Sequence, residues 1–312
     1  MSAARDLRSD IPMHPVTADF DRAGYHVFAD GVDADDAEGL LAAIRQTRNF
    51  DSSLFLTEAE FDADPLYVGV NPRPGRNLLD AFDDYLGFVE HDPGVVEGLT
   101  AVLGGGYELL NRKIVCGVPA SAVPDWLKRR ITDNPVNNLG AYVKPQFRDV
   151  TYFYGIDFHQ DLIDFKDRDA DFVTLYIYLH PVGAHDAPLF LLENSHHLGA
   201  TLFPHDLTRN DAGFLYGDRK GGTVQTTQKM LTGPAGYAAM WHSCTLHGTQ
   251  PDAADNERLS LRYLFAKAPR ALAAGMDAVN ANLAGPLRLS ATRTDLDAAG
   301  AAVIKGNTVN RV

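Results

Sequence analysis

The chain has little cysteine, a deficit of basic charge and no long hydrophobic run. Its 312 residues include two cysteines, Cys116 and Cys244, both in apolar strand-like segments, so two buried thiols are expected rather than a disulfide. Such thiols suit a reducing, cytoplasmic setting. There are 28 basic residues against 41 acidic ones, a formal net charge of -13. That balance argues against a nucleic-acid surface and leans against highly anionic substrates. Lys128-Arg129-Arg130 is a local exception, read as a solvated helix face. No stretch approaches a membrane span, and Met1 to Leu7 lacks the apolar core of a signal peptide, so no membrane association is expected. Gly104-Gly105-Gly106 is not followed by Lys-Ser/Thr, so it reads as a helix stop and not a phosphate loop. No internal repeat or low-complexity tract stands out.

What is present is ordinary globular material, 45% hydrophobic and 22% charged, enough for a substantial core. One domain, 1–312, is expected, in three parts. Residues 1–106 read as a helical buttress. Asp33-Ala34-Asp35-Asp36 opens an amphipathic helix through Leu40, Leu41 and Ile44, Asn77 to Val89 reads as a second, and Asp92-Pro93 caps a third that ends at Gly104. Residues 107–267 carry successive strand patterns: Tyr107 to Pro119, Asp149 to Ile156, Asp171 to His180, Ala187 to Leu192, Tyr237 to His242 and on towards Thr249, and Arg258 to Phe265. Short strands with turns between them predict a mainly β fold with flanking helices, its core an antiparallel double-stranded β-helix, the jelly roll of cupins. Two insertions, 120–147 and 203–231, are expected beside the core, where lids and substrate contacts commonly sit. Residues 268–312 read as a helical extension that includes Asp295 to Ile304.

His159-Gln160-Asp161 carries the chemistry. In a strand, residues i and i+2 project from one face, so His159 and Asp161 can reach one ion while Gln160 points away. The aromatic and β-branched run that leads into the triplet puts the pair at a strand end or just past it. Two imidazoles and one carboxylate leave open positions on an octahedral ferrous ion, and the chain's eleven histidines supply candidates for the second imidazole. His247 and His242 compete for that place on one predicted element; His242 reads as a packed residue beside Trp241.

With these residues in hand the chain resembles the phytanoyl-CoA dioxygenase family of iron(II)- and 2-oxoglutarate-dependent oxygenases, over residues 107 to 267. The resemblance rests on His159-Gln160-Asp161, on Pro188-Leu189 leading to Ser195-His196-His197-Leu198-Gly199, and on Trp241-His242 leading to His247-Gly248-Thr249 and Arg258. It implies that His159, Asp161 and His247 bind Fe(II). Arg258, eleven positions after His247, would clamp the far carboxylate of 2-oxoglutarate, a grip for which a planar guanidinium is suited and lysine is not. Thr249 would help hold the same carboxylate. Gln146 and Lys113 are further cosubstrate candidates, and Tyr142, Trp241 and Glu193 are candidates near the substrate. Arg262 reads as half of an ion pair with an unspecified carboxylate. Where the family often has Pro-Gly before Ser-His, this chain has Glu193-Asn194, and asparagine tolerates the left-handed backbone a glycine would supply.

The implied reaction is hydroxylation of a small molecule with O2, releasing succinate and CO2. Halide-transferring relatives replace the carboxylate that Asp161 retains. Desaturation, epimerisation or ring closure would use the same residues, and a cupin-like binding or sensory protein with a structural metal is the alternative from another class. An apolar shell is expected from Phe153, Phe158, Leu175 and Leu189 or their neighbours. Monomer and homo-oligomer stay equally open.

Overall fold

The computed structural model describes residues 13–63, 77–132, 134–165, 167–251, 256–268 and 275–289. In chain order, helix α1 (Pro15–Ala23) leads to strand β1 (Tyr25–Val27), then α2 (Ala34–Arg45), α3 (Glu58–Ala63), α4 (Gly87–Glu90) and α5 (Pro93–Leu103). The β-rich part follows with β2 (Glu108–Gly117), α6 (Asp125–Ile131), β3 (Val136–Asn138), β4 (Thr151–His159), β5 (Phe172–Tyr178) and β6 (Leu189–Leu192). It continues with β7 (Asp206–Asn210), β8 (Gly213–Gly217), β9 (Thr223–Thr226), β10 (Gln228–Leu231), β11 (Ala238–His242), β12 (His247–Thr249) and β13 (Arg258–Ala266), and α7 (Gly275–Ala281) closes the described chain.

Two of the three expected N-terminal helices form with the expected caps. The Asp33 carboxylate accepts from the amide of Asp36 at the start of α2, and Asp92 accepts from Val95 at the start of α5. Each satisfies an amide that the helix leaves without an internal partner. The expected helix over Asn77 to Val89 is instead a 3-10 segment, Leu78–Tyr85, broken at Phe82 and followed by the single turn of α4. The apolar spacing is helical, but Phe82 leaves the helical backbone region (φ -122°, ψ 21°) and interrupts it.

The strands form one large sheet in the order β1-β11-β5-β13-β2-β4-β12-β6-β10, with β3 added on β4. The sheet curls: Trp241 of β11 and Thr174 of β5, near one end of the order, hydrogen-bond Asp161, which follows β4 on the far arm. This is the jelly-roll form. It is mixed rather than antiparallel throughout, because β2 and β4 pair in parallel through Val115, Cys116 and Gly117. The helical stretch of α6 and the β3 segment lie between those two strands and supply the crossover that a parallel pair requires.

Alternation along the central strands divides the two faces. Val173, Leu175 and Ile177 of β5 and Leu259, Leu261 and Tyr263 of β13 pack with Phe20, Leu40, Ile44, Leu99 and Val102 of the helices. Full burial of each such aliphatic side chain is worth roughly 1.5–3 kcal/mol, so this layer holds the N-terminal helices on the sheet. The opposite face of the same strands, with Thr174, Tyr176, Arg258, Ser260 and Arg262, looks into the curl. Leu175 therefore belongs to the outer core and does not line the cavity, contrary to expectation.

Both insertions are structured. The first contains α6 and β3; the second forms a separate sheet, β7-β8-β9, and ends in β10, which pairs with β6. Asp295 to Ile304 lies outside the described residues. Cys116 and Cys244 are buried thiols, as expected. Among the described residues no helix is long and apolar enough to cross a membrane.

Candidate metal centre and its cavity

His159 is the last residue of β4, and Asp161 opens the 3-10 turn Asp161–Asp164 directly after it. His247 opens β12 and pairs in register with His159. His242 ends β11, so the two competing histidines lie on different strands. Along this pair β4 advances three residues, Ile156 to His159, while β12 advances two, Thr249 to His247. The bulge turns both Ile156 and His159 towards the cavity, a common use of such irregularities beside a site. Phe158 is directed the other way, against Phe190 and Phe214, so of the four expected apolar wall residues only Phe153 and Leu189 line the cavity.

Ligand atoms of His159, Asp161 and His247 lie within 4.8 Å of one another, and among the described residues this is the one group of three or more such side chains placed to hold a metal ion. The imidazole rings stand 4.2 Å apart, and His247 Nε2 is 3.6 Å from Asp161 Oδ2. Backbone carbonyls orient both rings. Nδ1 of His159 lies 3.0 Å from the carbonyl oxygen of Asp157, and Nδ1 of His247 lies 3.1 Å from that of Thr245. A carbonyl only accepts, so each Nδ1 carries the proton and each Nε2 keeps its lone pair for a metal. Burial drives the basicity of both imidazoles down, which keeps them in the neutral, ligating form.

Asp161 is buried among donors. Thr174 Oγ1 donates to Oδ2 at 2.5 Å, Trp241 Nε1 donates to the same oxygen at 3.0 Å, and Arg262 Nη2 donates to Oδ1. Burial alone would raise the carboxyl pKa. The Arg262 guanidinium, the two imidazoles and the Thr174 hydroxyl outweigh it and hold the group well below the usual carboxylate range, so it is ionised. Gln160 faces away, as alternation requires. Its amide donates to the carbonyls of Gly199 and Cys244, and its Oε1 accepts from the Thr201 amide.

A cleft opens over His159, Asp161 and His247. Val115, Val136, Phe153, Ile156, Ile163 and Leu189 make its apolar wall, and Arg258, Arg262, Lys113, Asp164 and Tyr176 bring polar groups into it. Arg258 is 1% exposed, and its Nε and Nη1 have no hydrogen-bond partner. The guanidinium carbon lies 5.5 Å from the centre of the Tyr176 ring. Its cross-strand partner is Gly117, where a Cβ would come within 3.2 Å of Arg258 Nε, so the missing side chain is what gives the guanidinium room. A buried cation with orphaned donors fits an anionic ligand group, and the metal ligands line the same cleft.

The other expected site residues divide. Thr249, Lys113 and Trp241 line the cleft. The Thr249 hydroxyl donates to the carbonyl of Ala187 at 2.9 Å, which leaves its oxygen as an acceptor. Lys113 is buried opposite Arg262, and burial together with that guanidinium pushes its ammonium down to about 7 against the pull of Asp164 and Asp161. Gln146, Tyr142 and Glu193 do not line the cleft. Gln146 is exposed on the 3-10 turn Pro145–Phe147, and Tyr142 packs on Phe61, with ring centres 4.8 Å apart. Both belong to a connection stitched to the outer layer, where Lys144 N donates to the carbonyl of Leu54 and Leu56 N to that of Tyr142. The Glu193 carboxylate is held instead by the hydroxyls of Tyr25, at 2.8 Å, and Thr227, at 2.5 Å. Asn194 beside it is left-handed (φ 55°), the conformation that replacing Pro-Gly calls for. His242 is tied to the Cys244 amide and Asn280, each at 3.0 Å. The sequence reading missed Thr174, whose signal was a lone inward hydroxyl in an apolar strand, and the role of Gly117, which had none.

No protein-family model matches the chain, and no curated protein does. Solved structures match it at low identity. One is the epimerase SnoN in complex with Fe3+, alpha ketoglutarate and nogalamycin RO: 15% identity, 94% of this chain, 93% of that chain, TM-score 0.49. A second is SnoK, a non-heme alpha ketoglutarate dependent carbocyclase from nogalamycin biosynthesis, at 11% identity over 90% and 94% of the two chains, TM-score 0.49. A third is EvdO2 from Micromonospora carbonacea var. aurantiaca complexed with 2-oxoglutarate, at 14% identity over 84% and 94%, TM-score 0.47.

Proposed function

We propose that this protein is an iron(II)- and 2-oxoglutarate-dependent oxygenase that hydroxylates an unactivated C–H bond of a small molecule, as the resemblance to phytanoyl-CoA dioxygenases implies. The observation that carries the reading is Arg258, a fully buried guanidinium with orphaned donors in the cleft that holds His159, Asp161 and His247. A purely structural metal has no use for such a cation.

In this reading His159 Nε2, Asp161 and His247 Nε2 hold the ferrous ion, which when bound activates dioxygen alongside 2-oxoglutarate. Arg258 receives the far carboxylate of the cosubstrate, with Thr249 beside it on the cleft wall. Thr174 and Trp241 orient the Asp161 carboxylate. Phe153, Ile156, Val136 and Leu189 keep water from the reacting region. The retained Asp161 favours hydroxylation over halide transfer, and the acidic balance of the chain, 28 basic residues against 41 acidic, argues against a nucleic-acid partner.

Anaerobic titration of the metal-free protein with ferrous ion and 2-oxoglutarate tests the reading. A weak visible charge-transfer band and oxygen-dependent succinate formation are expected. A protein that binds iron but gives neither belongs with cupin-like binding proteins instead. Product analysis then separates hydroxylation from desaturation, epimerisation or ring closure.

A further inference from the structure

The carboxylate expected to hold the metal is at the same time half of a buried ion pair. Arg262 Nη2 donates to Asp161 Oδ1, with both side chains largely out of water, 13% and 3% exposed. Orientation of Asp161 does not depend on this contact, because Thr174 and Trp241 already fix Oδ2 from two neighbouring strands. What Arg262 adds beside these two neutral donors is a full positive charge in direct contact with the carboxylate. Lys113, Arg258 and Asp164 share the cleft with this pair. Arg262 and Lys113 face each other directly across β13 and β2, a like-charge pairing that strands ordinarily avoid.

We propose that Arg262 is a positioning residue that acts through charge: it holds down the affinity of the site for a divalent cation and makes tight metal binding depend on an anion arriving in the same cleft. A cation close to a bound divalent ion repels it, whereas the same cation attracts a dianion that chelates the metal. A dianion in the cleft competes with Asp161 for the guanidinium and so frees the carboxylate for the ion; the two bindings are thereby coupled, and the coupling is reciprocal. The part concerning the anion rests on the proposed use of 2-oxoglutarate; the part concerning the metal does not.

The test uses Mn2+ as the probe, with free ion followed by electron paramagnetic resonance under nitrogen, in the presence and absence of 2-oxoglutarate. The proteins are the full chain and its Arg262→Met, Arg262→Gln and Arg262→Lys variants. Without 2-oxoglutarate, Met and Gln at this position are expected to tighten Mn2+ binding by about tenfold or more, whereas Lys leaves it near the parent value. The gain in Mn2+ affinity on adding 2-oxoglutarate is expected to be smaller in the Met and Gln variants than in the parent. If Arg262 merely braces the ligand, its loss weakens Mn2+ binding, and weaker or unchanged binding in both uncharged variants overturns the proposal. Gln keeps a hydrogen-bonding group, so it decides the matter if Met prevents folding. If 2-oxoglutarate leaves the parent's Mn2+ affinity unchanged, the oxygenase reading fails, while the comparison made with metal alone still judges Arg262.

Discussion

Thr174 and Trp241 stand directly opposite each other across β5 and β11 and donate to the same oxygen of Asp161. Two side chains from adjacent strands thus fix a carboxylate carried by a third segment. Partners of this kind typically contribute 10–100-fold to metal affinity. Thr174→Val keeps the shape and removes the hydroxyl; Trp241→Phe removes the N–H. Each variant is expected to weaken Mn2+ or Fe2+ binding by roughly tenfold or more, measured by titration of the metal-free protein. Affinities equal to the parent in both would show that the pair only packs.

Arg258 carries an unusual combination of burial and unmet hydrogen-bonding capacity. A buried donor without a partner costs on the order of 1–3 kcal/mol, so an apolar residue of similar volume relieves that cost. Arg258→Met is expected to stabilise the protein in the absence of ligands, seen as a higher urea midpoint. The same substitution is expected to abolish measurable 2-oxoglutarate binding and leave metal affinity within a few-fold of the parent. A destabilised variant with intact 2-oxoglutarate binding would contradict both the orphaned state and the clamp.

Gly117 gives a separate handle on the same group. A side chain there meets Arg258 Nε at 3.2 Å, so Gly117→Val must displace the guanidinium. Loss of 2-oxoglutarate affinity by about tenfold or more, with metal affinity retained, is the expected calorimetric result; this loss is of the order of one charge-assisted hydrogen bond. Unchanged affinity would mean that the guanidinium is not read at this position.

Buried neutral histidines set a pH limit on stability. Burial pushes His196 down to about 2 and His242 down to about 4. Below the ordinary value of 6.5 the unfolded chain takes up protons on these groups and the folded one does not. Stability therefore falls as pH drops from 6.5 towards the folded values, by up to about 1.4 kcal/mol per pH unit for each group. The urea midpoint is expected to decline steadily from pH 7 to pH 5. A flat profile across that range would mean that these imidazoles are charged in the folded state.

Two of the candidate metal ligands, His159 and Asp161, were legible in the sequence because strand periodicity constrains which residues share a face; His247 was legible through the resemblance. The same rule would have excluded Phe158, which directly precedes inward-facing His159, and Leu175, which sits between inward-facing Thr174 and Tyr176. The bulge that brings Ile156 in beside His159 was not legible: it arises from the pairing of β4 with β12, which no local pattern announces. Arg262 was legible as an ion-pair residue but not as the partner of Asp161. The two lie 101 positions apart in sequence, and only the curl of the sheet joins them. Gln146, Tyr142 and Glu193 drew attention by nearness in sequence, which the crossover and turn geometry do not turn into nearness in space.

Gln160 occupies the middle of the proposed metal-binding tripeptide, yet its amide is spent on Gly199, Thr201 and Cys244. One face of three residues is placed to hold an ion while the other bolts down the start of the segment that leads into β7, β8 and β9. Beyond Thr201 the segment stays tied in, because Phe214 and Tyr216 of β8 pack with Phe158 and Phe190. The small sheet is thus fastened to the far side of the strand that ends in His159.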